Sequence, residues 1–149
     1  MKHEELLYLE NQLCFPLYAA SRLTTQMYGP LLHELDITYP QYLVLLVLWQ
    51  RGALSVTEIG GLLLLDTNTL TPLLKRMEEK GLLVRLRSKE DARSVLVSLS
   101  PAGQQLKEKA LCVPMQVIAN FQAGGTLTHE EVVAFKATLH KIVGALAAE

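Results

Sequence analysis

The sequence carries two cysteines, Cys14 and Cys112. A thiol reacts with oxidants as its thiolate, so its chemistry turns on what lowers its pKa. Cys14 stands two residues before Pro16, and proline is tolerated in the first turn of a helix. The spacing therefore puts Cys14 at or just before a helix N-terminus, where unpaired amides and the helix dipole favour an anion. No Lys or Arg is close in sequence, which leaves the dipole and hydroxyl donors to activate the sulfur. From spacing alone the other reading also stands: a lone cysteine is ordinarily a small buried hydrophobe. Cys112 is either inert or a thiol able to resolve an oxidised sulfur.

A second group of residues suits nucleic acid. Asp66-Thr67-Asn68-Thr69 is a run of short polar residues suited to capping a helix start. Leu70, Leu73, Leu74 and Met77 then recur at helical spacing, and Gly81 ends the run where a C′ glycine belongs. With those apolar residues inward, Asn68, Thr69, Thr71, Pro72 and Lys75 fall on the outer face. Asn68 and the threonines could read base edges or phosphates, and Lys75 a phosphate. Two strand-like runs follow, residues 82–87 and 94–99, around a charged turn. Arg93 at that turn is the minor-groove candidate, with Asp91 as its orienter. Arg76, Arg85 and Arg87 are phosphate contacts or partners of Asp91 and the glutamates. Glu78 and Glu79 read as a solvated face.

The charge distribution supports this grouping. Residues 67–100 hold seven basic and four acidic side chains, a net +3, whereas residues 1–36 hold two and five, a net −3. The whole chain is near neutral, so the basic segment is a focused phosphate footprint on an otherwise acidic protein. A solvated hairpin with ordinary surface charge is the alternative on charge alone.

Other elements must position these residues. Residues 9–35 read as mostly helical, with Leu13, Leu17, Ala20, Leu23, Met27 and Leu31 on one stripe and the main helix starting around residues 12–15. Thr38 or Tyr39 caps a buried apolar helix that stops near Gly52. Ser55 with Glu58 is a capping box for the next, and Leu65-Asp66 is the turn into the recognition helix. After the strands, Pro101 opens a helix running to about Ala119, kinked or broken by Pro114. Thr128 with Glu131 opens the last one. The expected fold is mainly α: a winged helix-turn-helix over residues 37–100, with residues 1–36 and 101–149 forming a helical dimerisation region. Leu6, Leu7, Leu9, Leu13 and Leu17 at one end, and Leu139, Ile142 and Leu146 at the other, exceed what the centre can cover. A homodimer covers them and sets two recognition helices about one DNA turn apart, on a pseudo-palindromic site.

Several classes recede. Apolar runs are too short to span a membrane, and Met1-Lys2-His3-Glu4-Glu5 lacks a signal-peptide pattern, so a cytoplasmic location is expected. The four histidines are scattered, no cluster has metal spacing, and there is no phosphate-cradling glycine loop or CxxC. Neither a metal nor a cofactor is expected, and an enzyme, a thiol peroxidase, would need a resolving route.

The element order and the phrase from Glu90 to Ser100 resemble the MarR family of dimeric regulators. Residues 9–22, 35–46 and 65–77 further resemble the organic hydroperoxide regulators (OhrR type) within it. The resemblance implies a repressor of double-stranded operator DNA, released when organic hydroperoxide oxidises Cys14 to a sulfenic acid. That acid condenses with a low-molecular-weight thiol or a resolving cysteine; some relatives carry one in the C-terminal helical region, where Cys112 lies. It also implies that two tyrosines of the partner subunit, matching Tyr28 and Tyr39, donate hydrogen bonds to the sulfur. Two other readings compete: a MarR-like repressor controlled by a phenolic or other small ligand, and the peroxidase.

Overall fold

The computed structural model describes residues 3–87, 94–123 and 127–147. Among these residues the order is seven α-helices and three short strands: α1 (Cys14–His33), α2 (Tyr39–Arg51), β1 (Leu54–Ser55), α3 (Val56–Leu63), α4 (Thr67–Glu79), β2 (Leu83–Arg87), β3 (Val95–Leu99), α5 (Pro101–Ala110), α6 (Cys112–Ala123) and α7 (His129–Leu146). The fold is a mainly helical winged helix-turn-helix, as expected. Residues 3–7 and 9–11 form 3-10 turns, and α1 starts at Cys14, within the expected residues 12–15.

The core sits where α2, α3 and α4 meet the sheet. Val44, Leu45, Ile59, Leu70, Leu74, Met77 and Val97 are fully buried, so α4 turns its predicted apolar stripe inward. The strands order β1–β3–β2, all antiparallel, with Leu83 opposite Leu99 and Leu54 opposite Val97. The two-residue β1 was not expected; it is too short to carry an alternating pattern.

Helix ends obey local chemistry. Ser55 and Glu58 form a reciprocal capping box, as do Thr128 and Glu131. Thr38 is the N-cap of α2, its amide donating to Gln41 Oε1 at 3.0 Å. α4 ends in a Schellman motif: Leu82 N–H donates to Met77 O, Gly81 N–H donates to Glu78 O, and Gly81 has φ +72°. α1 ends the same way with Asp36 at φ +51°, whereas α3 ends at Leu64, φ +54°, with the Leu64 and Leu65 amides both donating to Gly60 O. A leucine in that region stores roughly 1 kcal/mol of strain. It persists here because Leu65 N–H donates back to Gly60 O. Gly60 is required by space, because a Cβ there would lie 2.8 Å from the Leu65 carbonyl oxygen.

The expected helix from Pro101 breaks at Leu111, three residues ahead of Pro114. The proline ring crowds the carbonyl four residues earlier, that of Ala110, so the break falls upstream of the proline itself.

The two ends of the chain hold little of the core. Only Leu32 is buried in α1, and no residue is buried in α7. The predicted α1 stripe is largely exposed in the single protomer: Leu13 is 87% exposed, and Leu17 and Leu23 are also open. No described helix is long and apolar enough to cross a membrane.

Gly103 lies in the first turn of α5 against the base of the wing, where a Cβ would overlap the Leu82 carbonyl. Gly103→Ala is expected to destabilise the fold by about 2–3 kcal/mol, the upper part of the range for overpacking, because the clash is with backbone. A thermal melt would show it; an unchanged midpoint would mean that α5 and Leu82 separate easily.

Candidate redox site and nucleic-acid interface

Cys14 is the first residue of α1 and is exposed. Leu13 precedes it as a residue without a side-chain cap bond, so the helix start supplies amides that no side chain has claimed. The expected start of α1 and the place of Pro16 in its first turn agree with this. Phe15, Leu17 and Tyr18 beside it are exposed apolar surface.

Tyr28 and Tyr39 come together from α1 and the first turn of α2. Their ring centroids are 4.7 Å apart, tilted by 52°. Tyr42 extends the stack, 6.0 Å from Tyr28, and Trp49 meets Tyr42 edge-on at 6.4 Å. The Trp49 indole then donates to Gly103 O at 2.9 Å. This ladder from α1 to α5 was not anticipated, although Tyr39, Tyr42 and Trp49 at helical spacing are a signal that could have suggested it. Burial raises the phenol pKa of Tyr28, Tyr39 and Tyr42 above the ordinary value, and the neighbouring Tyr39 pushes Tyr28 further the same way. Among the described residues neither the Tyr28 nor the Tyr39 hydroxyl has a hydrogen-bond partner. Both are neutral phenols able to donate.

Within one protomer Cys14 does not reach them. Fourteen positions of one helix separate Cys14 from Tyr28, about 21 Å along its axis. Cys112 is no closer. It opens α6 in a shallow groove beside Leu31, Glu34 and Leu35, at the far end of α1. That is about 25 Å along the helix from Cys14. Its Sγ donates to Lys109 O at 3.2 Å.

The expected reading face is open. Asn68, Thr69, Thr71, Pro72, Lys75 and Arg76 are all exposed on α4. Asp66 caps this helix, accepting from Thr69 N–H at 2.8 Å, and that bond holds its carboxyl below the usual range. The helix runs through Pro72, which cannot donate to the Asn68 carbonyl. Lys75 makes a loose 3.9 Å pair with Glu79. Arg87 is exposed at the end of β2. Asp91 and Arg93 lie outside the described residues.

Arg85 takes the second of its two expected roles, partner of a glutamate, and only Glu78 departs from expectation: it is paired and partly buried, not part of a solvated face. Arg85 Nε and Nη2 donate to Glu78 Oε2 at 2.9 and 2.8 Å, and Arg85 N–H donates to Oε1 at 2.9 Å. A carboxylate and an arginine can meet across a Gly-containing turn at a separation no helical pattern reveals. Lys80, just past α4, reaches the α1–α2 turn, with Nζ 3.1 Å from Asp36 Oδ2 and donating to Asp36 O.

Residues 37–95 match the model of the MarR family. Over 138 residues the chain is 50% identical to the organic hydroperoxide resistance transcriptional regulator of Bacillus subtilis strain 168, covering 93% of this chain and 91% of that one. It is 36% identical over 135 residues to the transcriptional regulator SarZ of Staphylococcus saprophyticus, covering 91% and 90%. The structure of reduced AbfR bound to DNA superimposes with a TM-score of 0.78 at 37% identity, covering 98% of this chain and 96% of that one.

The phenol shifts set a pH dependence. With folded values above the unfolded 10.0, the stability from keeping these phenols neutral is complete below that pH and is lost as pH rises through the folded values. Absorbance titration near 295 nm should show a late-ionising component that shrinks in Tyr39→Phe, with Tyr28 titrating earlier in that variant. Ionisation of every tyrosine in the ordinary range would contradict the packing of this stack.

Proposed function

The chain belongs to the MarR family, and from that footing we propose that it is a redox-sensing transcriptional repressor. It binds pseudo-palindromic operator DNA as a homodimer in the cytoplasm and leaves it when organic hydroperoxide oxidises Cys14. Residues 1–36 and 101–149 form the dimerisation region, and residues 37–100 the DNA-binding domain. The observation that carries the reading is the split sensor: an exposed thiol at a helix start, and two phenol donors without partners, held apart by one helix.

A second copy related by a two-fold axis resolves the split. Setting the start of α1 against Tyr28 and Tyr39 of the partner brings donors to sulfur at both sites at once. It also covers Leu13, Leu17 and Leu23. The phenols stabilise the thiolate as hydrogen-bond donors, and the apolar residues around it favour an organic over a small polar peroxide.

The Cys14 thiolate attacks the terminal peroxide oxygen. The O–O bond breaks, sulfur is oxidised to the sulfenic acid, and the peroxide leaves as an alcohol after taking a proton. A low-molecular-weight thiol then condenses with the sulfenic acid, forming S–S and releasing water. The position of Cys112 at the other end of α1 supports an external thiol over resolution inside one protomer. The enlarged sulfur no longer fits the phenol pair, and the dimer rearranges. About 3 kcal/mol of differential stabilisation lowers operator occupancy on the order of a hundredfold. On the DNA side Asn68, Thr69, Thr71 and Pro72 face base edges, while Lys75, Arg76, Arg87 and Arg93 meet phosphates or the minor groove, with Asp91 orienting Arg93.

A second reading, control by a small organic ligand, draws support from one feature. A groove of about 680 Å³ separates the start of α2 from α4, and Arg76 and Lys80 line it.

Binding to the chain's own upstream DNA, with and without an organic hydroperoxide, tests the proposal. Wild type should release at least tenfold, and Cys14→Ser should bind as tightly and ignore the peroxide. Binding by both that ignores peroxide would overturn the redox reading. Release of Cys14→Ser by an organic anion would install the ligand reading in its place.

A further inference from the structure

We propose that Glu78 and Arg85 are a positioning pair that fixes the angle between the recognition helix and the wing, so that both reach DNA together. The inference rests on the DNA-binding reading above.

Glu78 lies in the last turn of α4 and Arg85 in the middle of β2. β2 is an outer strand of the sheet, so half of its amides face away from β3. Arg85 N–H is one of these, and it donates to Glu78 Oε1 at 2.9 Å. The same side chain's guanidinium fork closes on Oε2. One carboxylate thus holds both the backbone and the side chain of the wing strand. A single bond would allow rotation about it; three bonds to two oxygens do not. Both side chains are partly buried, 24% exposed for Arg85 and 35% for Glu78, so water competes less than at an open surface pair. The base of the wing is tied from the other side, where Ser100 Oγ donates to Gly81 O and Ser100 N–H to Leu82 O.

The chemistry assigns neither residue to DNA contact. The Arg85 guanidinium is engaged, and a bare Glu78 carboxylate would repel phosphate. A helix in the major groove and a wing on the adjacent backbone can bind at the same time only at one relative angle. The pair sets that angle without touching the nucleic acid.

The test is operator binding by the reduced full chain, measured by fluorescence anisotropy across a salt series. The variants are Glu78→Gln, Arg85→Lys, Arg93→Ala and the double variant Glu78→Gln/Arg93→Ala. Glu78→Gln should weaken operator binding several-fold and lower the slope of log affinity against log salt by about one, as one released counterion requires. Arg85→Lys, which keeps the charge and loses the fork, should do the same. Arg93→Ala should weaken binding in the wild type and do little more in the Glu78→Gln background, because the wing is already out of register. A thermal melt of each variant separates this from loss of fold: a purely structural role lowers the melting point and leaves the salt slope unchanged. The inference is overturned if Arg93→Ala weakens binding but Glu78→Gln leaves affinity and slope at wild-type values, or if the two losses simply multiply. A silent Arg93→Ala in wild type, or no operator binding at all, would instead remove the DNA reading on which the inference stands.

Discussion

A single unbroken helix dictates the logic of this protein. α1 carries Cys14 at its first residue and Tyr28 near its other end, and its rise holds them about 21 Å apart. Nothing in the protomer can shorten that distance without melting the helix. A sensor that needs a thiolate beside phenol donors must therefore be assembled between two chains. The same helix exposes the apolar stripe that such an assembly would cover. In the proposed dimer, dimerisation and sensing are one event, and a larger group on the sulfur would act directly on the surface that joins the two chains.

Packed groups lead from α1 along α2 to α5, and one ion pair links the α1–α2 turn to the end of α4. Tyr39 stacks on Tyr28 and begins α2. Tyr42 and Trp49 carry the stack along α2 to the carbonyl of Gly103. The turn ahead of Tyr39 holds Asp36, which Lys80 binds from just past the recognition helix. Burial near the tyrosines keeps them neutral donors. The exposed Asp36–Lys80 pair contributes roughly 0–1 kcal/mol, as surface pairs do.

The architecture was legible where periodicity is strong and ends are marked. Leu70, Leu73, Leu74 and Met77 give α4, because the apolar period and Gly81 agree. Ser55 with Glu58, and Thr128 with Glu131, mark helix starts through chemistry local to four residues. What escaped depends on distance or on rare backbone states. Leu54–Ser55 pairs with β3 through residues more than forty positions away. Leu64 adopts a left-handed conformation that leucine almost never signals. The break at Leu111 lies upstream of the proline that causes it. Glu78 looked like an ordinary surface glutamate, since its partner lies across a turn. Cys14 at a helix start followed from Pro16, whereas the role proposed for Tyr28 and Tyr39 rests on the resemblance alone.

The central claim is that the state of one sulfur decides whether the protein holds DNA. Mass spectrometry of DNA-bound and released fractions, after graded addition of an organic hydroperoxide with a small thiol present, tests it most directly. The account predicts that every released dimer carries a modified Cys14, that the bound fraction retains the free thiol, and that Cys112 stays unmodified in both. Released protein with an intact Cys14 thiol, or bound protein fully modified there, would contradict it.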